Sequence, residues 1–253
     1  GLAGTQAAGL WQTRHEPDSM AKQIHAGHAA QVGVQSALLS AQDFQGPRSI
    51  LEGEQGFFAA LCPGAEARDV LFEADGWLLH ETSLKPYPAC RHAHPAIDAA
   101  LQADDKGGEV VVRTYADALT FCDRPEPDSV IGAKFSLQHS VAVALDKGAP
   151  ELGDFEPEAI TRHAKTRARV RVEEGADFTA AYPARYGASV EMGGRVWTAE
   201  DALGDPERSM SAEQVRRKAR GLMRHGGMRG DAITRLVQAA LSGTVDAYWK
   251  ALP

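Results

Sequence analysis

Apolar positions recur at helical spacing over most of this chain and alternate only in a short middle stretch. Ala30, Val34, Ala37, Leu38 and Ala41 fall three and four apart, which predicts a helix running to about Gln42 with that stripe turned inward. Asp18-Ser19-Met20-Ala21-Lys22 supplies its cap. A Gly46-Pro47 turn follows, then a short helix around Arg48 to Leu51, and the glycine-rich run Glu52 to Phe58 leads into a further helical turn. Ahead of these, Gly1 to Trp11 reads as the entry into a small-residue helix. It begins without methionine, a charged leader or a cleavage pattern, and so reads as cut from something longer.

After Trp77 the pattern changes. A helix is expected with Pro95 near its first turn and Ile97, Ala100 and Leu101 on its buried side. Val110 to Tyr115 is rich in β-branched residues and reads as a strand. Ala133 to Leu145 returns to helix, with Leu137, Val141, Ala144 and Leu145 inward. Arg169 to Glu173 alternates strictly, and Ala188 to Met192 is joined by Gly193-Gly194 to Arg195 to Thr198 as a hairpin. Ser211 caps a helix over Ala212 to Arg224. Asp231 caps another, whose stripe is Ile233, Leu236, Val237, Ala240 and Leu241. The pattern predicts an α+β fold: residues 1–81 in a helical domain, 82–205 in an α+β domain with antiparallel strands, and 206–253 as helices returning to the helical domain.

Composition narrows the function. With 43% hydrophobic and 24% charged residues in 253, the chain suits a globular protein. A net charge of −7 argues against general nucleic-acid binding, which needs a basic face. No segment approaches the roughly 20 apolar residues of a membrane span. Cys62, Cys90 and Cys122 are odd in number and widely spaced, so a reducing cytoplasm is the expected compartment.

The chemistry concentrates in Lys85-Pro86-Tyr87-Pro88-Ala89-Cys90-Arg91-His92-Ala93-His94-Pro95. Three prolines stiffen a turn that carries a lysine, a tyrosine, an arginine and two histidines. A rigid loop of cations and proton carriers suits an anionic substrate. Lys22 and His25, three apart on one helical face beside small residues, form a second basic group with room for a ligand or another helix. Cys90 reads as a small buried hydrophobe, and Ser136, Gln138 and His139 as structural hydrogen-bonding residues.

Three segments carry a resemblance: Lys22-Gln23-Ile24-His25-Ala26-Gly27-His28-Ala29-Ala30, the Lys85 to Pro95 loop with Ala96-Ile97-Asp98-Ala99, and Ala133-Lys134-Phe135-Ser136-Leu137-Gln138-His139-Ser140-Val141-Ala142. Together, in this order and spacing, the chain resembles the MmgE/PrpD family of 2-methylcitrate dehydratases, cis-aconitate decarboxylases and iminodisuccinate epimerases. The resemblance implies a lyase acting on a small di- or tricarboxylate, without cofactor or metal, at a cleft between a helical and an α+β domain, usually in a homodimer. It implies catalytic roles for Lys85, His94, Lys22 and His25, and substrate binding by Lys22, Lys85, Tyr87 and Arg91. His92 is a less favoured proton carrier than His94. Two departures stand out. The long helical segment expected to precede Gly1 is missing, which suggests an N-terminal partner chain, and Phe121 stands where some relatives place a tyrosine.

Alternative chemistries fit less well. His92-x-His94 with His25 and His28 could ligate a metal, but no carboxylate stands at ligand spacing. An iron–sulfur dehydratase would need clustered cysteines. Within the family reading, epimerisation of an amino- or imino-dicarboxylate is the alternative to dehydration. A C-terminal portion that only associates with a partner is the non-catalytic one.

Overall fold

The computed structural model describes residues 1–12, 16, 19, 21–64, 76–104 and 107–252. Contacts divide the chain into two units, residues 1–79 and 80–253. The break falls beside the expected boundary at 81/82, and residues 206–253 group with the second unit.

The first unit is built on helix α1 (Ala21–Ser40) and the short α2 (Phe57–Leu61). Ser19 Oγ accepts from the Ala21 amide at 3.4 Å; Asp18 and Met20 of the expected cap lie outside the described residues. The stripe expected to turn inward does not. Val34 and Leu38 are 63% and 66% exposed, while Val32 and Ser36 on another face are buried. Arg48 to Leu51 forms turns in place of a helix. Among the described residues, the expected N-terminal helix is a 3-10 turn at Gly4–Gln6, with further 3-10 backbone at residues 11–12.

The second unit holds a four-stranded sheet of β1 (Val110–Thr114), β2 (Val170–Glu174), β3 (Ala188–Met192) and β4 (Arg195–Ala199), in the order β2-β1-β3-β4. The hairpin β3–β4 turns at Gly193-Gly194, both with positive φ, where a glycine pair avoids the Cβ clash. β1 pairs antiparallel with β3 but parallel with β2, so the expected antiparallel set is a mixed sheet. A parallel neighbour cannot be reached by a tight turn. The intervening chain supplies the crossover with α4 (Ala116–Cys122), α5 (Val130–Lys134), α6 (Leu137–Lys147), α7 (Pro157–Arg162) and α8 (Ala164–Arg167).

Helix α3 (His94–Ala100) lies against β3, β4 and α6. Every residue of α3 is buried, and Ile97 with Leu137, Val141, Val110, Val112 and Val190 forms the centre of the core. Leu101, expected inward, is 37% exposed just past the helix end. The helix expected over Ala133 to Leu145 is two, broken at Phe135-Ser136, where Ser136 Oγ caps α6 by accepting from the His139 amide at 2.9 Å. After α9 (Ala176–Ala181), the tail forms α10 (Ala212–His225), α11 (Gly230–Leu241) and α12 (Val245–Ala251). Ser211 and Gln214 make a reciprocal capping box at the start of α10. In α11 only Ile233 and Leu236 of the expected stripe are fully buried, and Leu241 is exposed.

Candidate active site

Loop 85–95 lies in the second unit, where a strap from residues 203–208 holds it in shape. The Leu84 amide donates to the Gly204 carbonyl at 2.8 Å. Gly204 has φ +97°, and a Cβ there would stand 1.8 Å from the Leu84 oxygen, so backbone contact this close requires glycine. Ser83 Oγ donates to Asp205 Oδ1 at 2.7 Å, and Arg91 pairs with the same carboxylate. Asp98, buried on α3, accepts from Tyr87 Oη at 2.7 Å, from the Leu203 amide at 2.6 Å and from Arg208 Nη1 at 2.8 Å. One carboxylate thus joins loop, helix and strap.

The strap fixes what the loop presents. Tyr87, expected to bind substrate, is buried with its hydroxyl committed to Asp98; burial and that carboxylate push the phenol well above its usual range. It serves as a strut. Arg91 rests its guanidinium 4.4 Å from the Tyr186 ring centroid, and its Nη1 is buried without a hydrogen-bond partner. Lys85 is exposed, with Nζ 3.4 Å from the Ala89 carbonyl.

His94 is fully buried, its Nε2 also 3.4 Å from the Ala89 oxygen and its ring 5.3 Å from that of Tyr87. Donation from Nε2 leaves Nδ1 as the lone-pair nitrogen, and Nδ1 too is buried without a partner. Desolvation, then the charges of Arg91 and Lys85, lower the imidazole pKa to about 3. The ring is therefore neutral at pH 7. Lys218 of α10 also reaches the loop, where its ammonium donates to the Lys85 carbonyl.

His92 belongs to an aromatic cluster. It stacks on Phe121 at 4.8 Å and 11°, and its Nδ1 lies 2.7 Å from Tyr115 Oη. Tyr115 in turn stacks on Tyr182 at 4.5 Å. Phe121 brings no hydroxyl, but Tyr115 supplies one to the same imidazole. Cys90 and Cys122 are both buried free thiols, and burial raises Cys122 well above the usual thiol range. Ser136 Oγ donates to the Arg124 carbonyl at 2.6 Å, Gln138 bridges the Arg124 amide and Asp123, and His139 Nε2 meets the Asp154 carbonyl at 2.7 Å. These three are structural.

In the first unit, Lys22 Nζ lies 5.7 Å from the Trp11 ring centroid and His25 lies 6.3 Å from it. Among the described residues, no three His, Cys, Asp or Glu side chains come together as a metal site would require. Sequence reasoning missed Asp98, Asp205, Arg208 and Lys218. Asp98 stood inside a recognised segment, while the other three carry no local signal.

Two family models match this chain: residues 87–241 match the MmgE/PrpD C-terminal domain and residues 1–69 the MmgE/PrpD N-terminal domain. The chain belongs to the MmgE/PrpD family. Members of MmgE/PrpD are generally enzymes of dehydratase or lyase type. The C-terminal match contains the strap, Arg91, His94 and Lys218, and Lys85 stands two residues ahead of it. The N-terminal match contains Lys22 and His25. A comparison with curated proteins returns no match. None of the described helices is long and apolar enough to cross a membrane.

Proposed function

We propose that this MmgE/PrpD chain is a lyase acting on a small polycarboxylate, most simply by dehydration of a 2-methylcitrate-type hydroxy acid. The observation that carries the reading is the pair of unpartnered buried atoms, Arg91 Nη1 and His94 Nδ1, on a loop whose exposed side chain is Lys85. Buried polar atoms are nearly always paired; Ser36, His139, Ser140 and His163 each also hold such an atom, but Arg91 and His94 share one strapped loop with an exposed lysine, and their two are read as completed by a ligand.

Dehydration breaks a C–H bond next to a carboxylate. The electron pair forms the C=C bond, and the hydroxyl on the adjacent carbon leaves as water after taking up a proton. Negative charge accumulates beside an existing carboxylate, and fixed cations relieve it. Arg91, held by Asp205 and Tyr186, is such a cation. Lys85 reaches solvent and takes the proton-transfer role, while buried His94 positions the Ala89 carbonyl that Lys85 also meets. An anion bound at Lys85 and Arg91 would offset the two charges that help keep the imidazole neutral, so the proton affinity of His94 rises when substrate arrives. Lys22 and His25 are retained as candidates on the family resemblance alone.

Isomerisation of an amino- or imino-dicarboxylate is the second reading. The test is incubation with 2-methylcitrate, cis-aconitate and iminodisuccinate, following alkene absorbance, CO₂ release and optical rotation. Turnover of one is expected, with Lys85→Ala lowering its kcat/KM by at least ~10²-fold. Silence on all three, or unchanged kinetics in the variant, overturns the assignment.

A further inference from the structure

Helix α10 has no buried residue, yet one of its side chains turns to the loop. Lys218 Nζ spends one of its three donors on the Lys85 carbonyl, which is neutral, and among the described residues it forms no ion pair. Its position is set from two sides. The Ser211–Gln214 box fixes the first turn of α10, and Arg208, three residues earlier, is tied to Asp98. The ammonium is therefore held at the loop by groups that do not neutralise it.

From this geometry we propose that Lys218 is a further carboxylate-binding residue of the site, supplied by the C-terminal helix and selecting substrates that carry an additional carboxylate. The proposal rests on the polycarboxylate reading above. Beside Lys85 and Arg91, Lys218 adds a third cation at the loop. The same three charges, with Arg91 and Lys85 ahead of Lys218, bear on buried His94, which places Lys218 within the field of the site. Its contact with the Lys85 carbonyl holds the ammonium in place without a counter-ion that substrate would have to displace.

The test is calorimetric titration of the native protein and its Lys218→Gln, Lys218→Met and Lys218→Arg variants with citrate, which carries three carboxylates, and succinate, which carries two. Loss of one charged hydrogen bond predicts citrate binding weakened about tenfold or more in both neutral variants, succinate changed less than about twofold, and citrate affinity largely restored by arginine. A purely structural lysine would weaken both probes alike or neither, and either result overturns the proposal while leaving the polycarboxylate reading intact. If the native protein binds neither probe, that reading falls, and this inference with it. Matched melting temperatures across the variants exclude misfolding as the cause.

Discussion

His94 combines full burial, a nitrogen without a partner and neighbouring positive charge, and each of these favours the neutral ring. The unfolded chain would protonate this histidine near pH 6.5 and the folded chain only near 3. Between those values the unfolded state binds more protons, so stability falls as pH falls through that window, by up to about 1.4 kcal/mol per pH unit from this group. Urea unfolding between pH 4 and 8 should show this slope, reduced in His94→Gln; an identical slope in the variant would assign the acid sensitivity elsewhere. The residues of the loop were legible in the sequence because they are neighbours there. The tasks of Tyr87 and Arg91 were less so, since a tyrosine that binds substrate and one that braces a carboxylate look the same until Asp98 is in place.

At the level of elements, most helices and all four strands were readable from periodicity, and the Gly193-Gly194 turn gave the pairing of β3 with β4, but the other strand neighbours were not readable. Alternation marks Val170 to Glu174 as a strand without saying that it runs parallel to β1. Helical spacing marks α1, but which face is buried depends on what packs there, and Val32 and Ser36 took the place of the expected stripe. The strap escaped notice for the same reason: Asp205 and Arg208 look like ordinary surface charges in the connection from β4 to α10. Its weight can be measured. Asp98→Ala would remove the acceptor that Tyr87 Oη, the Leu203 amide and Arg208 share, and a loss of about 3–5 kcal/mol in urea unfolding is expected. A loss under about 1 kcal/mol would mean that the loop keeps its shape without the strap.

For the whole molecule, the exposed apolar side chains of α1 are the main unexplained surface. Ile24, Val34 and Leu38 are each more than 60% exposed, and large apolar patches of this kind commonly mark association. Sedimentation velocity at micromolar concentration is expected to show a species larger than the monomer, and Leu38→Asp to shift it toward the monomer; a single monomeric boundary for the native chain would remove the expectation of a partner.

The strap also sets an order of assembly. The Leu203 amide meets Asp98 across 105 positions of chain and Arg208 meets it across 110, so neither contact exists until residues 203–208 have left the ribosome. Loop closure over such a span is entropically costly and comes after local helices and the hairpin have formed. During synthesis, then, Arg91 and His94 stay in an unfinished loop until the strap has emerged.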